Sequence, residues 1–319
     1  MIHMYKNKTI GVNVPAYNEE KLIGKVITTM PDFVDKIIIV NDCSTDNTKN
    51  IIENFAASDQ RVVLINHQTN QGLGKSLIDG YLKSLSLNMD ITVVMAGDAQ
   101  MDPLDLPAII EPIVNQEADY TKGNRLLAPN ISRIMPTYRF IGNSFLTLLT
   151  KFATGYWHII DPQSGYTAIS KTALNKINIS AMTPGYGYNA DLLTMLNIAN
   201  FKVKDVEIKP IYGSEKSKIK VGKYIVKISK LLTKLFFKRM WQKYFVREFH
   251  PLVFFYFLSF INLILIALPF FIRFLYLYFK LGIAPQTTLI IFVFTATMGV
   301  FSLFFGMWLD MEDNRRLKS

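Results

Sequence analysis

Two long stretches without a single charge, residues 252–272 and 281–309, constrain this chain more than any other feature. They run for 21 and 29 residues, and about 20 apolar residues suffice to cross a bilayer core. One such run could be a buried core helix. Two in tandem, separated by a short connection around residues 280–285, predict a transmembrane helical hairpin. Arg273 falls near the far end of the first run, where a long side chain can snorkel outward. Lysine and arginine crowd residues 216–247 before the hairpin, and Arg315, Arg316 and Lys318 follow it. Under the positive-inside rule both termini are expected in the cytoplasm. The N-terminal stretch MIHMYKNKTI lacks the apolar core of a signal peptide, so the region before the hairpin is expected to stay on that same side.

The net charge of +10 has a local origin. Residues 216–247 hold 11 of the 35 lysines and arginines and no acid, which leaves 24 cations against 25 anions elsewhere. Lys220, Lys223, Lys227, Lys230, Lys234 and Lys238 recur at steps of three and four, as do Val221, Ile225, Ile228, Leu232 and Leu235 on another face. That is the pattern of one amphipathic helix, or two in series, with a cationic side. An anionic membrane and a nucleic acid both suit such a face. The adjoining hairpin favours the lipid bilayer and argues against nucleic acid. The single cysteine, Cys43, rules out an internal disulfide, and His3, His67, His158 and His250 have no metal-ligand spacing.

Before residue 214, short apolar runs alternate with helical patterns. Strands are predicted over 9–14, 36–40, 62–65 and 91–95, and helices near 19–30, 46–55 and 74–85. This alternation predicts an α/β fold with a mostly parallel sheet. Ligands in such sheets sit at the carboxyl ends of strands, which directs attention to three polar segments. VPAYNEE (14–20) offers free backbone N–H groups and the Tyr17 ring at a strand-to-helix turn. In VNDCSTDNT (40–48), Asp42 stands where it can accept a hydrogen bond from a pyrimidine N–H, and Asp46 is placed to cap the next helix. In AGDAQMD (96–102), Asp98, Gln100 and Asp102 are hard oxygen donors suited to Mg2+ or Mn2+ on a diphosphate. Asp102 precedes a proline and can equally start a helix.

In this order and at these separations, the three segments resemble the family-2 glycosyltransferases with a GT-A fold. Within that family the chain is similar to polyprenyl- and dolichyl-phosphate sugar synthases, of the dolichyl-phosphate mannose synthase kind. The resemblance spans about residues 8–220. It implies a GT-A nucleotide-sugar domain over 1–214, a basic interfacial segment over 215–250 and a transmembrane hairpin with a short basic tail over 251–319. It implies that Pro15, Tyr17 and Glu19 contact the nucleotide, that Asp42 reads the base, and that Asp98 and Gln100 hold the metal and diphosphate. DPQSG (161–165) is similar to the family's donor-site stretch and gives Ser164 a binding role. YNADLL (188–193) puts Asp191 near the acceptor. In KGNR (122–125) Arg125 would meet phosphate, with Arg139 as a second phosphate-binding arginine. Lys216 and Lys218 match a mobile basic loop, and together these cations would form an anion funnel. The implied reaction is metal-dependent, inverting sugar transfer from a UDP- or GDP-linked donor to a polyprenyl or dolichyl phosphate, with Asp98, Asp191 and Arg125 as its catalytic group. Homo-oligomerisation is left open.

One position departs from the family pattern: Ala96 stands where members commonly begin an Asp-x-Asp metal motif. Ala96 therefore supports an alternative reading, a degenerate membrane partner that binds nucleotide without turnover. A processive polysaccharide synthase is a second alternative, but Arg239-Met240-Trp241-Gln242 does not match that class's Gln-x-x-Arg-Trp segment. GLGKS (72–76) ends like a P-loop but lacks the required glycine at Thr69.

Overall fold

The computed structural model describes residues 5–127, 137–185, 187–209 and 221–319. They form two compact units, Met1–Phe236 with Leu317–Ser319, and Phe237–Arg316.

The first unit is built on a seven-stranded sheet of order β3-β2-β1-β4-β6-β5-β7. The strands are β1 (Ile10–Ala16), β2 (Lys36–Asn41), β3 (Val62–Asn66), β4 (Ile91–Val94), β5 (Tyr120–Asn124), β6 (Thr167–Ser170) and β7 (Val203–Glu207). Strands β3, β2, β1 and β4 are parallel, β6 runs against both of its neighbours, and β5 is parallel to β7. Ile/Val-rich runs make the central strands because both sheet faces are covered. Ile10, Val12 and Val14 point into one core with Ile37, Ile39, Ile109 and Ile110. Leu77, Tyr81, Tyr120, Ile169, Leu192 and Leu196 form a second core.

Helices α1 (Ile23–Thr28), α2 (Thr48–Ser58), α3 (Leu73–Ser86) and α4 (Leu106–Val114) follow the first four strands in turn. Later come α5 (Thr137–Thr154), α6 (Lys171–Lys176) and α7 (Tyr188–Ile198). The helix expected over 19–30 is shorter than the periodicity suggests. Its first turn is tied off by the N–H groups of Leu22 and Ile23, both donating to the Glu19 carbonyl. Asp46 is structural as expected, though Asn47 occupies the cap position. The Asp46 carboxylate accepts from the N–H groups of Thr48 (3.0 Å) and Glu20 (3.2 Å).

The basic amphipathic stretch is helical over Val221–Arg239 (α8) and continues as a π-helix over Met240–Arg247. Ile228, Leu232 and Leu235 pack against Ala153 of α5 and Ala190 of α7, so this apolar stripe docks on the globular unit, while Lys227, Lys230 and Lys234 remain exposed.

In the second unit, helices Leu252–Leu281 and Gln286–Leu317 are each long and apolar enough to cross a membrane. Only 17% and 22% of their most apolar windows are buried, unlike the core helix of a soluble protein. They extend beyond the uncharged runs because Arg273 and Lys280 continue the first helix to a left-handed Gly282 cap. The two pair in antiparallel fashion, with Phe255 on Phe305 and Phe271 on Phe292. At Gly299 an added Cβ would lie 2.6 Å from Leu263, so the close approach requires glycine.

Candidate active site

The polar segments after β1, β2 and β4 meet at one end of the sheet. Register brings them there, since Ala16 pairs with Asn41 and Asn13 with Val94. Beyond the strands the backbone continues the link. Asp42 N–H donates to the Ala16 carbonyl (2.9 Å) and Gly97 N–H to the Pro15 carbonyl (3.3 Å). The 15–19 segment therefore lies between Asp42 and Asp98. Tyr17 is 48% exposed, open for a planar ring to stack. Glu19 runs its side chain past Gly97, where an added Cβ would meet Glu19 Cγ at 3.4 Å. Asn18 locks this segment to the next loop, its Oδ1 accepting from Thr45 N–H (2.8 Å).

Asp42 is 4% exposed and heavily bonded. Oδ1 accepts from Gln71 N–H (2.8 Å) and lies 2.7 Å from His67 Nδ1, while Oδ2 accepts from Gly72 N–H (2.8 Å). Burial pushes this carboxyl's pKa up, but the bonds from Gln71, His67 and Gly72 outweigh it and hold the group below the usual carboxylate range. Cys43 beside it is half-buried, as a packed neighbour.

Asp98 follows β4 on a half-buried loop, and its Oδ1 accepts from Gln100 N–H (3.1 Å). Ala99 between them holds φ at +54°, a left-handed conformation that costs a β-carbon residue about 1–2 kcal/mol. Asp102 caps the turn Pro103–Asp105 through Leu104 N–H (2.9 Å), which is its structural role. Among the described residues no group of three or more His, Cys, Asp or Glu is arranged to hold a metal ion. The donor set fits a hard divalent cation bound through one carboxylate, an amide oxygen, substrate phosphates and water, as Mg2+ commonly is.

The DPQSG turn packs against this loop. Tyr166 donates its hydroxyl proton to the Asp102 carbonyl (3.1 Å), and an added Cβ on Gly165 would meet Met101 at 3.2 Å. Ser164 is buried, and its carbonyl accepts from Lys122 Nζ (2.7 Å), which also lies 3.4 Å from Asn189 Oδ1. Arg125 makes a two-pronged pair with Asp161 (2.8 and 3.2 Å), with 39% of its side chain still exposed. Burial pushes the Lys122 ammonium down to about 8, against the opposing pull of Asp161 and Asp205. Its folded-state pKa is thus below its unfolded one. The burial penalty is full below about pH 8 and is relieved as the pH rises from there toward the ordinary lysine value. Relative to wild type, Lys122→Met should therefore lose stability as pH goes from 7.5 to 9.5, read as a growing gap between the two thermal midpoints.

Asp191 lies in the first turn of α7 and is buried. Its Oδ2 accepts from Thr183 N–H (2.9 Å) and the Thr183 hydroxyl (2.8 Å), so it also holds the 183–184 turn. Arg139 falls within α5, but its side chain is outside the described residues, as are Lys216 and Lys218. Three contributors had no role in the sequence reading: His67, Lys122 and Asn189. Lys122 stands out only in the fold, as a lysine inside a strand buried at every position.

A mostly parallel sheet with acidic loops gathered at its strand ends is the architecture of a GT-A glycosyltransferase. Residues 12–177 match the model of glycosyl transferase family 2. UDP-N-acetylglucosamine–dolichyl-phosphate N-acetylglucosaminyltransferase of Methanococcus voltae is 33% identical over 219 residues, covering 65% of this chain and 87% of that protein. Polyprenol monophosphomannose synthase of Mycolicibacterium smegmatis is 28% identical, covering 62% and 75%. Glucosyl-3-phosphoglycerate synthase of Mycobacterium tuberculosis, crystallised with Mn2+, UDP and phosphoglyceric acid, superposes with a TM-score of 0.53 at 21% identity, covering 73% and 78%. At that identity the likeness speaks for the fold. The chain belongs to glycosyl transferase family 2.

Proposed function

We propose that this glycosyltransferase moves a sugar, with inversion, from a UDP-linked donor to a polyprenyl or dolichyl phosphate at the cytoplasmic face of a membrane. The observation that carries this reading is the convergence of the Pro15–Glu19, Asp42 and Asp98 segments at one end of the sheet through the Asp42–Ala16 and Gly97–Pro15 hydrogen bonds. The methanococcal relative's name makes UDP-N-acetylglucosamine the first donor to test. Pro15, Tyr17 and Glu19 would line the nucleotide, and Asp42 the base. Asp98 and Gln100 would hold Mg2+ or Mn2+, which when bound supplies charge neutralisation for the leaving diphosphate. Arg125, Arg139, Lys216 and Lys218 would add to that neutralisation, and Ser164 would line the donor sugar.

A lipid monophosphate is already an anion near pH 7, so it needs positioning more than deprotonation. Its oxygen attacks the anomeric carbon, the bond to the diphosphate breaks, and UDP departs. Asp191 then orients the acceptor rather than serving as a general base.

Several features support the membrane setting. Trp241 stacks on Phe245 (4.6 Å between centroids), and Phe249 and Phe254 extend this aromatic series into the first hydrophobic helix. These four rings are exposed, and such amphipathic or apolar rings suit the headgroup boundary. Leu317 is buried in the core of the first unit and Lys318 bridges to Val203.

The test is incubation of the purified chain with labelled UDP-N-acetylglucosamine, dolichyl phosphate and Mg2+ or Mn2+. Label extractable into organic solvent is expected. A polymeric product points to a processive synthase, and no turnover with any UDP or GDP sugar points to a degenerate partner. In the same assay Asp191→Asn should slow transfer to the phosphate by about tenfold. A loss near a thousandfold, the scale of general-base catalysis, would identify a hydroxyl acceptor.

A further inference from the structure

We infer that His67 is a positioning residue of the donor site, which fixes Asp42 and the Gln71–Gly72 turn in place by bridging two carboxylates. The inference rests on the nucleotide-sugar reading above and assigns a role to a residue outside the family-like motifs.

His67 immediately follows β3, and its N–H prolongs the ladder by donating to the Asn41 carbonyl (3.0 Å). That places its ring between the end of β2 and helix α3, where it is 7% exposed. Nδ1 lies 2.7 Å from Asp42 Oδ1 and Nε2 lies 3.0 Å from Asp79 Oδ2. Each ring nitrogen thus lies within hydrogen-bond reach of one carboxylate oxygen. Lys75 Nζ donates to the other Asp79 oxygen (2.6 Å). Asp42, His67, Asp79 and Lys75 thus form one continuous series of polar side-chain contacts.

This chain of contacts shapes the base end of the pocket. The Asp42 carboxylate draws the N–H groups of Gln71 and Gly72 to itself, and Gly72 takes a φ of +87° to allow that turn. The turn opens α3, where Lys75 N–H donates to the Pro184 carbonyl (3.2 Å). Gly74 approaches so closely that an added Cβ would lie 2.4 Å from the Thr183 carbonyl. Thr183 is in turn bonded to Asp191. A side chain at the end of β3 therefore anchors both Asp42 and the turn that abuts the acceptor-side segment. Without the ring, the Asp42 carboxylate loses its side-chain contact with His67 and the 71–72 turn loses its fixed acceptor.

The experiment measures UDP affinity and initial rates for the full-length chain, with His67→Ala, His67→Gln and Asp79→Asn as variants. Losing a hydrogen bond to a charged group corresponds to about tenfold or more in binding. His67→Ala should therefore raise the UDP Kd and the donor KM about tenfold while kcat changes less than about threefold. His67→Gln, which can donate to one carboxylate at a time, should recover part of that loss. Asp79→Asn, which weakens the second anchor of the ring, should raise the UDP Kd in the same direction as His67→Ala but by less. A residue that merely stabilises the fold would lower kcat with the active fraction and leave KM unchanged, and that result overturns the inference. So does an unchanged Kd in His67→Ala, or in His67→Gln if the alanine variant does not fold. Failure of the wild-type chain itself to bind UDP would instead overturn the donor reading.

Discussion

Replacing Asp98 by asparagine is expected to lower kcat/KM by about a thousandfold or more, roughly 4 kcal/mol of transition-state stabilisation. The magnitude follows from the sparseness of the donor set. Residue 96 is an alanine and offers no carboxylate, Asp102 is turned to its own helix cap, and the described residues hold no cluster of three or more His, Cys, Asp or Glu placed for a metal. The leaving diphosphate would then share its cation with a single protein carboxylate. An amide in that position keeps the shape and removes the charge. The same logic gives the opposite sign for Ala96→Asp, which should lower the concentration of Mn2+ needed for half-maximal rate. Initial rates against metal concentration for both variants check this. An Asp98→Asn protein retaining more than a tenth of wild-type activity would rule out the one-carboxylate site.

Asp310→Ala is expected to destabilise the hairpin unit by about 3–5 kcal/mol, the usual cost of leaving a buried charge without its partner. Arg239 is fully buried and makes two bonds to Asp310 (2.6 and 2.8 Å). Around them the Tyr244 hydroxyl lies 3.0 Å from carboxylate oxygens of both Asp310 and Asp313, with its single proton to give to one of them, Lys243 reaches Asn314 (2.9 Å) and Asp313 (3.0 Å), and Asn314 donates to Asp310 (2.8 Å). This network clasps the π-helix to the end of the second hydrophobic helix. Removing Asp310 alone takes the carboxylate partner from a fully buried guanidinium. Removing both charges, as in Arg239→Met with Asp310→Leu, should restore most of the loss, because the cost lies in the uncompensated charge rather than in the pair. Thermal midpoints in detergent or nanodiscs measure both. A single variant as stable as wild type would show that the pair contributes nothing to cohesion.

The central sheet was legible because β1, β2 and β4 are buried on both faces and must therefore be continuous apolar runs, and the half-buried edge strand β3 is apolar as well. The observed Ile10–Ala16, Lys36–Asn41, Val62–Asn66 and Ile91–Val94 match the expected strands within about two residues. Strands β5, β6 and β7 were not legible. Tyr120–Asn124 reads YTKGN and Val203–Glu207 reads VKDVE, polar patterns that no local rule assigns to an interior sheet. They are strands because other segments supply partners for their polar groups: the Ser164 carbonyl for Lys122 Nζ, and the Asn124 amide and Ile160 N–H for Asp205 Oδ2.

The same division runs through the site. Asp42, Asp98 and Gln100 could be singled out because each directly follows an apolar run, and strand ends are where α/β sheets expose loops. His67 could not, since its meaning depends on the end of β2, the end of β3 and one face of α3 arriving together. The sequence alone determined the order of the central strands and helices, the acidic loops and a tail too apolar for water, because periodicity and hydrophobic run length are local properties of the chain. Tertiary structure alone decided which partners those groups meet: Arg125 with Asp161, Asp191 with Thr183, and the apolar stripe of α8 with Ala153 and Ala190. An apolar stripe has the same period whether it faces lipid or protein, and a carboxylate reads the same whether it is open or bonded. Only the packing of distant segments tells these cases apart.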